Sequence, residues 1–185
     1  GIGYIEESGL DDTELLKGLE ELSFKTEQLP HPVARAMAIK YVLENERLYI
    51  NEHDYFVGLY SLNRLANNTT FKKWERESRA YRAPETLQRG DDFNRSGAVM
   101  IWADYDHVVP DWKSLMELGF SGIRERAREY KRKHMENGNL DDETAAFFEG
   151  IEIQYTAIIA LIDRMYRVAE NQSFEKAPKI AECLK

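Results

Sequence analysis

One segment constrains the fold of this chain more than any other, the run from Asp141 to Asn171. Asp141-Asp142 supplies an N-terminal cap, and Phe147, Ile151, Tyr155, Ile158, Ile162 and Met165 recur at a helical period. Phe148, Ile153, Ile159 and Leu161 widen that stripe to most of the circumference. A helix apolar nearly all round has to be covered on most sides, so the chain is expected to build its other elements around this one.

The neighbouring segments supply further helices. Asp11-Asp12-Thr13 reads as a cap for a helix whose Leu15, Leu16, Leu19 and Leu22 share a face. Pro30-His31-Pro32 ends that region, and Pro32 suits the first turn of a helix holding Ala34, Ala36, Met37, Ala38, Tyr41, Val42 and Leu43. Leu48-Tyr49-Ile50 and Tyr55-Phe56-Val57 flank a polar Asn51-Glu52-His53-Asp54 turn and predict a short hairpin or two extended segments, with Gly58 ending the second. Asn67-Asn68-Thr69-Thr70 is a turn signal, and Phe71 to Tyr81 suits a charged helix anchored by Trp74. Pro84 to Gly97, rich in Asp, Asn, Arg and Gly, is expected to be irregular. Val99 to Ala103 is a short apolar run that periodicity leaves open between helix and buried strand.

Beyond it, Pro110 marks a helix start with Asp111 in the first turn. Gly119 and Gly122 mark a break or a close helix crossing. Ile123 to Met135 reads as a solvated helix closed by Asn137-Gly138-Asn139. Pro178 interrupts a short tail. The fold class is therefore mainly α, one helical domain over 1–185, with at most a short hairpin.

Composition narrows the function classes. With 43% hydrophobic and 31% charged residues the chain is globular. Its net charge of −8 opposes nucleic-acid and anionic-membrane binding. No apolar run approaches the ~20 residues of a membrane span. The N-terminal residues have neither the basic nor the apolar region of a signal peptide. The lone Cys183 excludes an internal disulfide and suits a reducing cytoplasm.

Chemistry-bearing patterns are sparse. Asp104, Asp106 and His107 have the donor types of half a metal site, but His31, His53 and His134 lie in unrelated segments, so no metal is expected. Arg124, Arg126, Arg128, Lys131, Arg132 and Lys133 interleave with Glu125, Glu129 and Glu136, the pattern of a solvated face rather than an RNA surface. Glu149 and Glu152 lack the Glu-x-x-His pair of a di-iron bundle. Phosphate-binding glycine loops and nucleophile elbows are absent.

The order of the motifs from His107 onward is more informative: His107-Val108-Val109-Pro110-Asp111-Trp112, then Leu118-Gly119-Phe120-Ser121-Gly122-Ile123, a basic helix, and a mostly apolar helix closing at Arg164-Met165-Tyr166-Arg167-Val168-Ala169. This order resembles the N-terminal half of glycyl radical enzymes of the pyruvate formate-lyase type. Arg35-Ala36-x-Ala38, Val42-Leu43-Glu44-Asn45 and Asp54-Tyr55-Phe56-Val57-Gly58 extend the resemblance toward the N-terminus. It implies a partial pyruvate formate-lyase-like domain from an enzyme of anaerobic metabolism, formate acetyltransferase-like or glycerol dehydratase-like. Such enzymes carry out radical C–C, C–O or C–N bond chemistry as lyases or acyltransferases.

The resemblance also implies what should be missing. The family relays its radical through a cysteine on a loop in the barrel centre and stores it on a glycine in an Arg-Val-x-Gly-aromatic context. Neither is expected here, because Cys183 stands in a charged tail. The chain alone is thus expected to be inactive, with no catalytic residue and no bound cofactor, the organic radical belonging to the full-length enzyme. The implied partners are the rest of the enzyme barrel, a radical S-adenosylmethionine activating enzyme for the full-length protein, and a second copy in a homodimer. His107, just before the Pro-Asp helix start, is the implied substrate-binding residue, with an imidazole suited to hydrogen-bond a hydroxyl or carboxylate. The alternative is a non-catalytic helical binding or interaction protein.

Overall fold

The computed structural model describes residues 13–59, 84–97 and 110–185. Its described residues form six helices and one pair of very short strands: α1 Thr13–Lys25, α2 His31–Asn45, β1 Leu48–Tyr49, β2 Gly58–Leu59, α3 Pro84–Ser96, α4 Trp112–Glu136, α5 Asp142–Glu170 and α6 Ala177–Glu182. The chain is mainly α, as its periodicity predicts.

Helix α5 organises the rest. It packs most extensively on α2, and also on α4, α6 and β1. Its start is fixed chemically: the Asp141 carboxylate accepts a 2.7 Å hydrogen bond from the Thr144 amide. Ala146, Phe148, Gly150, Ala157, Leu161 and Ala169 are its buried residues. Ile151, Ile153, Ile158, Ile159 and Ile162 are only half-covered. The apolar circumference is therefore only partly enclosed by the described elements. By length and composition α5 also meets the requirement for crossing a membrane, with a mean hydropathy of 1.5 over its best 18-residue window. Counting uninterrupted apolar runs misses this because Glu149 and Glu152 break the run.

Three apolar clusters hold the bundle. Leu19 of α1, fully buried, meets Ala38 and Val42 of α2, with Leu15, Leu16 and Leu22 around them. Burying a leucine side chain contributes about 1.5–3 kcal/mol. Leu43 of α2 meets Ala157 and Leu161 of α5. Val57, Ala169, Ile180 and Ala181 join the hairpin, the end of α5 and α6. Small residues permit the closest approaches. A Cβ on Gly150 would stand 2.7 Å from the Pro32 carbonyl oxygen, so α5 and the start of α2 meet backbone to backbone there.

Four expectations need correction. Pro84 to Ser96 is helical, because its polar residues satisfy one another at helical spacing: Gln88 donates to Asp92 at 2.9 Å and Arg95 pairs with Asp92 at 2.7 Å. Gly97, at φ 70°, follows its end. Gly58 lies inside the ladder opposite Tyr49 rather than ending it, since a Cβ there would meet the Tyr49 ring at 2.3 Å; Tyr55 and Phe56 stay outside it, exposed. Asp111 is the N-cap of α4 rather than a residue of its first turn. Pro178 opens α6 instead of interrupting a tail, since a missing N–H costs nothing in a first turn. The expected cap Asp11-Asp12, the helix over 71–81 and the run 99–103 lie outside the described residues.

Candidate functional site

The described chemistry concentrates where α4 crosses α5. The Arg128 guanidinium spans both helices, donating Nε to Glu152 at 2.8 Å and Nη1 to Glu125 at 2.5 Å, with Nη2 on the second Glu152 oxygen. Arg124, mostly covered, donates to the Thr156 hydroxyl at 3.2 Å, and its Nε is buried without a hydrogen-bond partner. Thr156 donates back to Glu152 at 3.3 Å. The hydrogen bond from Arg128 holds the Glu152 carboxyl below the ordinary carboxylate range, with Arg124 adding a smaller attraction. A fork of donors against a carboxylate sets direction as well as attraction, so this cluster fixes how α4 sits on α5.

This modifies the reading of the basic helix as a solvated face. Arg132–Glu136 and Lys133–Glu129 are indeed outward i,i+4 pairs. Arg124 and Arg128 instead reach across to α5, and Arg126 donates to the Ser114 hydroxyl at 3.0 Å. Composition alone does not separate the two groups; the phase of the helix relative to α5 does.

A second cationic group serves the α2–α5 contact. Arg164 donates to the Leu43 carbonyl and, at 2.8 Å, to the Glu46 carbonyl. These groups sit at the C-terminal end of α2, where the helix leaves carbonyls without intrahelical donors and where a positive charge is favoured. Arg164 belongs to the closing motif Arg164-Met165-Tyr166-Arg167-Val168-Ala169, and its role there is to tie α5 to α2.

The candidate substrate residue His107 lies outside the described residues, as do Asp104 and Asp106. The remaining histidines are separate: His31 begins α2, His53 is exposed in the hairpin turn beside Glu52, and the His134 ring lies tilted against Phe148 with centroids 5.6 Å apart. No group of three or more His, Cys, Asp or Glu placed to hold a metal occurs among the described residues. Cys183 is exposed at the end of α6. The described residues thus form a packed scaffold with oriented ion pairs.

Comparison with known families identifies that scaffold. A family model described as pyruvate formate lyase-like matches residues 62–185. The chain belongs to the pyruvate formate lyase-like family. The match contains the whole stretch from His107 to Asn171 and begins after the hairpin, so the early motifs at 35–45 and 54–58 lie outside it. No curated protein and no solved structure matches the chain. Within this pyruvate formate lyase-like chain, the matched α5 therefore packs most extensively on α2, an element that precedes the matched region.

Proposed function

We propose that these 185 residues are the N-terminal helical part of a glycyl radical enzyme, acting on C–C, C–O or C–N bonds only together with the remainder of its barrel. The observation that carries this reading is the pyruvate formate lyase-like match over 62–185. The partly covered isoleucine face of α5 supports it, because a face of that kind suits an element that packs against more protein.

The residues present do not fit the radical itself. The eleven glycines include none in an Arg-Val-x-Gly-aromatic context, and the nearest approach, Arg167-Val168-Ala169-Glu170, places Glu170 where that context has glycine. Among the described glycines, Gly97, Gly119 and Gly138 have positive φ at helix ends or breaks, and Gly150 is pressed against backbone. Cys183, exposed, has none of the enclosure a thiyl radical requires. No catalytic step is therefore assigned to this chain, which would supply scaffold and, through His107, one hydrogen-bonding group toward a substrate. The activating radical S-adenosylmethionine enzyme would act on the full-length protein, and the setting would be the cytoplasm of an anaerobic metabolism.

Reading the gene onward from Lys185 tests the proposal. A continuing frame with a cysteine-loop motif and a late Arg-Val-x-Gly-aromatic motif is the expected result. A frame that closes without them would leave the alternative, a non-catalytic helical interaction protein.

A further inference from the structure

Helix α4 is interrupted at Gly119, whose φ of 61° and ψ of 179° no helix contains. That combination is essentially confined to glycine, since a Cβ would clash with the local backbone. Nothing lies within 4 Å of where a Gly119 Cβ would stand, so the conformation is not forced by a neighbour pressing on the alpha carbon. The break turns the chain sharply. In an unbroken helix Ser114 and Arg126 would be separated by roughly 18 Å along the axis, farther than an arginine and a serine side chain can bridge. Here the Arg126 Nη1 reaches the Ser114 hydroxyl at 3.0 Å. The segment before Gly119 is thus folded back toward the helix that follows it.

Among the described residues, little holds this arm down. No residue of α4 is buried. In the arm itself only Ser114 and Leu115 are half-covered, while Trp112, Met116 and Leu118 are exposed, Met116 at 82%. Its helical turn is closed locally, by Asp111 accepting from the Ser114 amide at 3.1 Å, so it can move as a unit. A segment with few buried apolar contacts and exposed backbone belongs to the least stable part of a fold. Among the described residues its position is set by the Gly119 conformation, by the Arg126–Ser114 hydrogen bond, by the attraction of Arg126 for the Asp111 carboxylate, which Ser114 also hydrogen-bonds, and by Leu118, whose Cβ lies 2.9 Å from where a Gly122 Cβ would stand.

We infer that residues 110–118 are a strap hinged at Gly119 and latched by the Arg126–Ser114 hydrogen bond, and that breaking the latch lets the strap swing out into line with the helix beyond. The straight state gains the backbone hydrogen bonds lost at the break, and Gly119 is able to enter helical geometry. The two states therefore differ in where Trp112 and Met116 are presented while leaving the α4–α5 cluster of Arg124, Arg128 and Glu152 in place. The inference concerns the hinge and its latch and holds whether or not the chain serves a radical enzyme.

Spin labels at exposed Lys113 and Lys131, introduced as cysteines in a Cys183→Ser background, read the distance directly. Straight geometry separates those positions by roughly 27 Å along the axis, and the latched state brings them much closer. The unsubstituted hinge should show predominantly the short distance, Arg126→Met and Ser114→Ala a population moved toward the long one, and Gly119→Ala chiefly the long one. Ser114 lies on the half-covered arm away from the core, so its variant keeps the fold, which circular dichroism verifies. A single short distance unchanged in Ser114→Ala and Arg126→Met would overturn the latch. A short distance retained in Gly119→Ala would overturn the hinge.

Discussion

Gly150→Ala isolates the backbone contact on which the α2–α5 packing depends. In the middle of a helix, alanine in place of glycine ordinarily stabilises by about 0.8–1 kcal/mol. At Gly150 the new Cβ would lie 2.7 Å from the Pro32 carbonyl oxygen, 3.1 Å from its carbon and 3.3 Å from the Pro32 Cβ. The nearest two are backbone atoms, which no rotamer change can move aside. Forcing helices apart by such overpacking costs typically about 1–3 kcal/mol. Against two immovable backbone atoms the steric cost outweighs the gain in helix propensity, so the variant should lose up to roughly 2 kcal/mol net, a fall of up to about 8 °C in melting midpoint for a chain of this size. Gly90 provides the control: it lies in helix α3 with nothing within 4 Å of its Cβ position, so Gly90→Ala should leave the midpoint unchanged or raise it. Thermal and urea unfolding followed by circular dichroism read both. A Gly150→Ala midpoint at or above that of the parent would refute the close approach and the helix arrangement built on it.

Three further outcomes follow from the same structure. Arg164→Met leaves the Leu43 and Glu46 carbonyls without their cationic donor and should cost on the order of 2 kcal/mol in urea unfolding, a variant of unchanged stability excluding Arg164 as the tie between α5 and α2. The Glu152 carboxyl is held below its unfolded value of about 4.5 by Arg128, so its contribution is present above that pH and is lost as pH falls through the lower folded value; Glu152→Gln should flatten the acid side of the stability profile, and an unchanged profile would contradict the cluster. The half-covered isoleucine face of α5, if not closed by the chain itself, should drive a discrete dimer rather than a precipitate given the net charge of −8; light scattering across a dilution series should show dissociation, and a strict monomer at every concentration would argue for a self-contained domain.

How far the residues announced this structure depends on the kind of signal. The start of α5 and the end of α4 were legible because the groups act locally: the Asp141 carboxylate accepts from the amide of Thr144, and Gly138 at φ 69° closes α4 after Asn137, whereas the sequence signal puts the Asp111 cap a position too far into its helix. The leucine stripe of α1 and the break at Gly119 were legible for the same reason, one from spacing and the other from the single residue type that tolerates the geometry. Helix α3 was not, since its composition is that of a loop and its support comes from the pairing of Gln88, Asp92 and Arg95 one turn apart. Interhelical ties were hidden too. Nothing in the order of residues distinguishes Arg128, which bonds Glu152 on another helix, from Arg132, which bonds Glu136 on its own. The family was readable from the order of motifs after His107, whereas His107 itself lies outside the described residues, so its proposed contact with substrate stands on the resemblance alone.

On the proposed function, this pyruvate formate lyase-like chain acts as scaffold and does not itself store the radical. Electron paramagnetic resonance after anaerobic treatment with an activating enzyme and S-adenosylmethionine addresses this directly, with the 185-residue chain and the full polypeptide encoded by its gene run side by side. The full polypeptide should give the doublet of a glycyl radical and the 185-residue chain none. A doublet from the 185-residue chain, or silence from both under conditions that activate another member of the family, would contradict the claim.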